Sequence, residues 1–228
     1  MDEKDIHKGH RQRVKDRFLK EGLESFSLHN ILEIMLFYSV PRVDVNVLAH
    51  RLEHRFGSLR GVLDADVSEL TEVEGVSENT ATLLKLFPAV CKEYMTERMR
   101  GEVFDTIEKV ADYFVAKFIG MSVETVFLML LDNGNRMIGC KKLFTGSINS
   151  SGVDIRQIAE TALQEHASTI VIAHNHPKGA AIPSTADLQT TSAIEAACGV
   201  LNIHFWDHCL VAGSQYYLIV SEKGNADR

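Results

Sequence analysis

Four side chains within fourteen residues carry the chemistry of this sequence: His174, His176, Ser184 and Asp187. The run Thr169-Ile170-Val171-Ile172-Ala173 has the composition of a buried strand, and two histidines two residues apart end it. On a strand, residues i and i+2 share a face, so both imidazoles can converge on one ion. A loop containing Pro177, Gly179 and Pro183 follows, Ser184 opens a helix, and Asp187 sits one turn in. Two imidazoles and a carboxylate suit Zn²⁺ and leave a fourth position for water, the open arrangement of a catalytic zinc. Each piece also has an ordinary explanation. A His-x-His pair can be two surface histidines. Ser-x-x-Asp before a helix is a capping pair, with Asp187 favoured by the helix dipole. Their occurrence together, at a strand end with a short loop between them, favours the metal. A capping role for Ser184 survives inside that reading, because a capped serine is a fixed serine.

The order His-x-His, seven residues, Ser-x-x-Asp resembles the metal motif of the JAMM/MPN+ metalloprotease fold. Ala173-His174-Asn175-His176-Pro177, Phe144-Thr145-Gly146 with Ile148-Asn149-Ser150, and Asp207-His208 before a final hairpin resemble its bacterial RadC branch. Members of that branch carry a helix-hairpin-helix region in front, which Gly9-His10-Arg11 and Phe56-Gly57-Ser58-Leu59 fit. The resemblance spans nearly the whole chain. It implies a layered, cytidine-deaminase-like α/β domain built as a zinc-dependent peptidase or isopeptidase, with peptide or protein as substrate. The ligands it implies are His174, His176 and Asp187, and Ser184 would hydrogen-bond the metal-bound water or the developing oxyanion.

The same scheme requires a glutamate as general base, expected directly before the Leu/Ile-Phe-x-Gly word. Here that word is Leu143-Phe144-Thr145-Gly146, and Lys141 and Lys142 precede it. Lys142 therefore stands at the expected base position. A protonated lysine accepts no proton, and its charge would weaken a bound cation. General acid–base catalysis is worth about 10²–10⁴-fold, so its loss would leave a feeble hydrolase or a catalytically silent binding module. Cys140 is either a fourth ligand or a core thiol. Asp207 and His208, a polar pair in an apolar strand, are candidates to orient a ligand histidine.

Two kinds of element must position these residues. Up to about residue 100 apolar residues recur at helical spacing: Val14 and Phe18; Leu28, Ile31, Leu32, Met35 and Leu36; Val47, Leu48 and Leu52. Ser27, Asp44 and Asp66 stand as N-caps, Gly22 and Gly57 as stops, and Pro41 and Pro88 as breaks. Residues 1–100 are expected to form an all-helical domain. Residues 101–228 are expected to form a mixed α/β domain, making the chain α+β overall. Ile107 to Phe118 is an amphipathic helix. Short apolar runs at Val126–Leu131, Met137–Phe144, Thr169–Ala173, Ile203–Ala212 and Tyr216–Val220 are strands, with helices at Ile155–Leu163 and from Ser184.

The chain has 228 residues, 45% of them apolar, and a net charge of −7. That excludes bulk disorder and argues against coating nucleic acid through net positive charge. The longest apolar run, Val126 to Leu131, is far short of the roughly 20 residues of a membrane span. With no secretory signal and four scattered cysteines, a reduced cytoplasmic chain is expected. The charge is uneven: residues 1–100 carry −2 and residues 101–228 carry −5. Between His7 and Lys20, six basic residues including Lys8, Arg11 and Arg13 face one acid, Asp16. This is either a phosphate-docking surface, giving a DNA-associated protein, or a solvated helix face. The hairpin around Gly75 could bind phosphate through the next helix's amides, but Glu69, Glu72, Glu74 and Glu78 oppose it.

Overall fold

A computed structural model describes residues 9–41, 43–99, 102–146 and 154–225. Lys8 and the Ile148-Asn149-Ser150 word lie outside the described residues. The chain divides into two compact units between Val90 and Cys91. Among the described residues, no helix is long and apolar enough to cross a membrane.

The described elements of the first unit are helices: α1 (His10–Glu21), α2 (Leu28–Leu36), α3 (Asn46–Phe56), α4 (Leu59–Asp64), α5 (Val67–Thr71) and the start of α6 (Glu78–Arg98). Their boundaries follow local chemistry. Ser27 and Asp66 are N-caps, and Asp66 forms a capping box with Glu69. Gly22 and Gly57 end α1 and α3 at φ of 71° and 72°, where a side chain would be strained. Asp44 acts one residue early, its Oδ1 accepting from the Asn46 N–H at 2.9 Å while Val45 is the N-cap. Leu32, Leu36, Leu48, Leu52, Val62, Leu70 and Leu84 meet in one core.

Pro88 does not break the chain, contrary to the sequence expectation: α6 runs through it to Arg98. A proline removes one i→i−4 bond but leaves the rest of the ladder, and Ala81 and Leu84 anchor the preceding turns in the core. The helix thus carries the chain past the boundary between the units.

The second unit is a mixed α/β layer structure. Its strands are β1 (Thr125–Leu131), β2 (Met137–Thr145), β3 (Thr169–Asn175), β4 (His204–Ala212), β5 (Gln215–Leu218) and β6 (Lys223–Gly224). They form one sheet in the order β2-β1-β3-β4-β5-β6. Among the described strands only β3 and β4 pair in parallel, joined through α9 (Thr185–Leu201). One face carries Phe127, Met129, Val171, Ala173, Cys209 and Val211 under α7 (Ile107–Lys117). The other carries Val126, Leu128, Leu130, Ile170, Ile172 and Phe205 under α9 and α8 (Ile155–Gln164). Every residue of β1 and β3 is buried, which explains their unbroken apolar runs. β2 is an edge strand, and Lys141 and Lys142 on it are exposed, as suits a strand that must not pair further.

Candidate functional site

Strand alternation places Ile170, Ile172 and His174 on one face of β3, and His176 continues that series just past the strand. Both histidines thus stand at the carboxyl end of β3, beside the crossover that starts α9. His174 is fully buried and His176 half-buried. Their Nε2 atoms lie 3.2 Å apart. From α9, Asp187 Oδ1 lies 3.3 Å from His174 Nε2, and Oδ2 lies 3.9 Å from His176 Nε2. The three residues of the His-x-His and Ser-x-x-Asp pattern therefore converge on one point.

Ser184 and Asp187 form a reciprocal cap. Asp187 Oδ2 accepts from the Ser184 N–H and from its Oγ–H, both at 2.7 Å, while Ser184 Oγ accepts from the Asp187 N–H at 3.2 Å. The capping explanation and the site explanation thus hold together. The Ser184 hydroxyl hydrogen is committed to Asp187, so this serine orients the carboxylate. Burial pushes the Asp187 carboxyl up, but hydrogen bonding to and the charge of His174, with the bonds from Ser184, outweigh it and hold it below the ordinary carboxylate range.

A chain of buried hydrogen bonds defines which histidine nitrogens carry protons. Thr191 Oγ1 donates to the Asp187 carbonyl at 2.7 Å. Having one hydrogen, it can only accept from His208, whose Nδ1 is also 2.7 Å away. Burial, reinforced by the charge of His174, lowers the His208 pKa well below the usual histidine value, so the ring is neutral and its Nε2 bare. That bare nitrogen lies 2.8 Å from His174 Nδ1, which must therefore be the donor. His176 Nδ1 is 3.2 Å from the Ala180 carbonyl and must likewise donate. Both histidines donate through Nδ1 and turn Nε2 into the cleft.

Two Nε2 atoms 3.2 Å apart beside a carboxylate need a hydrogen or a cation between them. A proton on one ring meets that need partly. A metal ion meets it fully, and two imidazoles with a carboxylate are a zinc donor set.

A residue that the sequence reading missed lies beside the two histidines. Glu124 offers a carboxylate oxygen that lies with one nitrogen of His174 and one of His176 inside a 4.8 Å group. Register explains this: β1 is antiparallel to β3 with Val126 opposite His174, so Glu124, two residues earlier, falls beside His176 on the same face. Asn175 secures that segment, its Oδ1 accepting from the Thr125 N–H at 2.7 Å and its Nδ2 donating to the Val123 carbonyl at 3.3 Å. The available signal was the acidic residue two before the Val126–Leu131 run, just ahead of the strand paired with the histidine strand.

Lys142 does not occupy the cleft. It pairs with Phe127, which faces α7, whereas His174 pairs with Val126 on the other face. Lys142, expected at the base position, is an exposed residue of the edge strand, and the carboxylate beside the histidines is Glu124, just before β1. Cys140 pairs with Met129 on that opposite face, where burial pushes its thiol up to about 11. Asp207 and His208 separate by alternation. His208 reaches His174. Asp207 faces the other way, its carboxylate accepting from the N–H groups of His208, Val220 and Ser221 and from the Ser221 hydroxyl. Asp207 fastens the chain after β5.

In the first unit, Arg11 donates to the carbonyls of Phe37 at 3.2 Å, Val40 at 2.7 Å and Val43, and lies over the Phe37 ring. Arg13 is exposed on α1. At the hairpin before α6, the Ser77 hydroxyl already takes the Thr80 N–H at 3.2 Å.

Residues 104–225 match the family described as the RadC-like JAB domain. Among curated proteins, a UPF0758 protein of Ruegeria pomeroyi is 33% identical over 206 residues, covering 90% of this chain and 92% of that protein. A UPF0758 protein of Haemophilus ducreyi is 31% identical over 210 residues, covering 92% and 94%. One of Actinobacillus pleuropneumoniae is 32% identical over 212 residues, covering 92% and 96%.

Proposed function

The chain belongs to the RadC-like JAB-domain family, and from that premise we propose that it is a zinc-dependent hydrolase of peptide or isopeptide bonds. The observation that carries the proposal is Glu124 beside the two converging imidazoles. His174 Nε2, His176 Nε2 and Asp187 Oδ1 would hold the ion. When bound, Zn²⁺ would polarise a carbonyl oxygen and bring the pKa of water towards about 7.

The chain's own residues divide the remaining work. Asp187 is buried and fixed by Ser184, which suits a permanent ligand. Glu124 is half-buried at the rim, which suits a group that must take a proton from water and hand it to a leaving amine. His208 and Thr191 hold His174 in the tautomer that presents Nε2. Glu124 places a carboxylate at the two histidines, which supports the hydrolase reading over a catalytically silent module. A DNA-associated role gains no support from Arg11, which is engaged by carbonyl groups of its own unit.

The test is cleavage of a broad peptide and isopeptide library by the zinc-loaded chain, read by mass spectrometry as new termini. Chelator-sensitive products that vanish in Glu124→Gln are expected. Products that persist in Glu124→Gln, or the absence of cleavage across the library, would contradict the proposal.

A further inference from the structure

A second group of metal-capable side chains stands in the first unit, apart from the cleft. His50 and Glu53 lie three residues apart on α3, so their side chains rise from one helix face. α2 packs on α3 through Leu32, Leu36, Leu48 and Leu52, which brings His29, in the first turn of α2, to the same place. The His29 and His50 rings stack with centroids 4.3 Å apart and 29° between planes. Both turn Nδ1 towards one oxygen of Glu53, at 3.8 Å from His29 and 3.1 Å from His50. One donor atom from each of the three residues lies within 4.8 Å of the others.

We propose that His29, His50 and Glu53 form a second Zn²⁺ site, a clip between α2 and α3 that works independently of the cleft. The core of α2 and α3 is built from Leu32, Leu36, Leu48 and Leu52, while the three side chains are partly or largely exposed. The Glu53 oxygen is within hydrogen-bond distance of His50 alone, and His29 faces it from 3.8 Å. Stacking two rings in half-exposed positions beside it costs side-chain freedom. A divalent cation at the centre engages all three donors at once.

The donor chemistry fits. Two neutral imidazoles and a carboxylate carry net −1 and match the ligands that zinc takes, and a His-x-x-Glu pair on one helix facing a ligand from its neighbour is a bundle-type metal geometry. Zinc donors sit about 2.0–2.1 Å from the ion, hence roughly 3.3 Å from one another at tetrahedral angles. The present spacing reaches that with shifts of about an ångström in partly exposed side chains. Ser27 Oγ, 3.1 Å from His29 Nδ1, is the partner the ion would displace or share. The nearby cation is neutralised: Arg51 pairs with Glu74 at 3.0 Å. An open depression lined by Asn46, Val47, His50, Arg51 and His54 gives solvent access, so water can fill the remaining coordination.

The test uses the untagged full chain carrying His174→Ala and His176→Ala, which removes the cleft site, dialysed against zinc and analysed for metal. About one zinc per chain is expected, together with a zinc-dependent rise in the thermal midpoint. Adding His50→Ala, at a half-exposed position, should abolish both. No zinc in the parent, or zinc uptake and midpoint rise unchanged by His50→Ala, would overturn the proposal. Should the parent not fold, the same comparison is made in the wild-type chain. There His29→Gln with His50→Gln should lower the stoichiometry from about two to about one, and an unchanged stoichiometry would overturn it. Neither arm depends on turnover, so the clip and the hydrolase stand or fall separately.

Discussion

His208 Nε2 lies 2.8 Å from His174 Nδ1, and this contact decides which nitrogen of His174 faces the cleft. The direction of the contact is set from behind by Thr191, whose only hydrogen goes to the Asp187 carbonyl. The backbone of the helix that carries Asp187 therefore fixes the tautomer of His174.

Replacing Thr191 with valine should release that constraint. His208 Nδ1–H would lose its acceptor, and a buried unsatisfied group costs about 1–3 kcal/mol. Partners behind metal ligands typically affect affinity by about 10–100-fold. Zinc affinity measured by chelator competition should fall within that range for Thr191→Val and recover in Thr191→Ser. Equal losses in both variants would show that the hydroxyl is not the operative feature.

Glu124 and Lys142 should behave as opposites. Glu124→Gln keeps the shape and removes the proton acceptor, so zinc binding should survive while turnover falls by about 10²–10⁴-fold. Lys142→Ala removes an exposed edge residue on the far face of the sheet and should leave both unchanged. Turnover lost in Lys142→Ala and retained in Glu124→Gln would reverse the assignment.

The buried ring of His208 gives the metal-free protein a pH dependence with a definite sign. Burial, with the charge of His174, depresses its folded pKa, so the unfolded chain binds a proton that the native chain refuses. The stability it contributes is complete above about pH 6.5, the unfolded value, and is lost as pH falls from there towards the folded pKa. Asp187, also depressed, acts in a separate window, holding its contribution until pH drops below about 4. Urea unfolding between about pH 7 and 5 should show declining stability, and His208→Gln should flatten the slope. An unchanged slope in that variant would place the protonation elsewhere.

Arg11 is engaged by carbonyls at the end of α2, and the expected consequence of Arg11→Ala is lost stability. Hydrogen bonds to a charged group are worth about 1.5–3 kcal/mol, and lysine, lacking the planar fork, should not restore them. Denaturant midpoints of Arg11→Ala and Arg11→Lys check this. A wild-type midpoint with a steep loss of salt-dependent DNA affinity would instead assign Arg11 to phosphate.

Much of the site was legible in the sequence because strand alternation and helix capping are local. His174 and His176 share a face by the period of a strand, and Ser184 and Asp187 meet by the geometry of a first helical turn. The strands of residues 125–218 were legible for the same reason, as apolar runs between turns. Glu124 was not. Its place depends on β1 pairing antiparallel to β3 with Val126 opposite His174, a register set over about 50 residues of chain. The position expected for a base, before Phe144, falls on an edge strand where Lys141 and Lys142 are exposed. The separate duties of Asp207 and His208 likewise required knowing which face of β4 meets α9. Pro88 misled because a rule about hydrogen-bond donors cannot weigh the packing that holds the helix on either side.

The most direct test of the central claim is anomalous diffraction at the zinc absorption edge from crystals of the zinc-loaded chain. A peak within about 2.0–2.2 Å of His174 Nε2, His176 Nε2 and an Asp187 oxygen, with the Glu124 carboxylate facing the remaining position, is the predicted result. A fully loaded protein with no peak in that cleft, or a peak whose surroundings exclude Glu124, would contradict it.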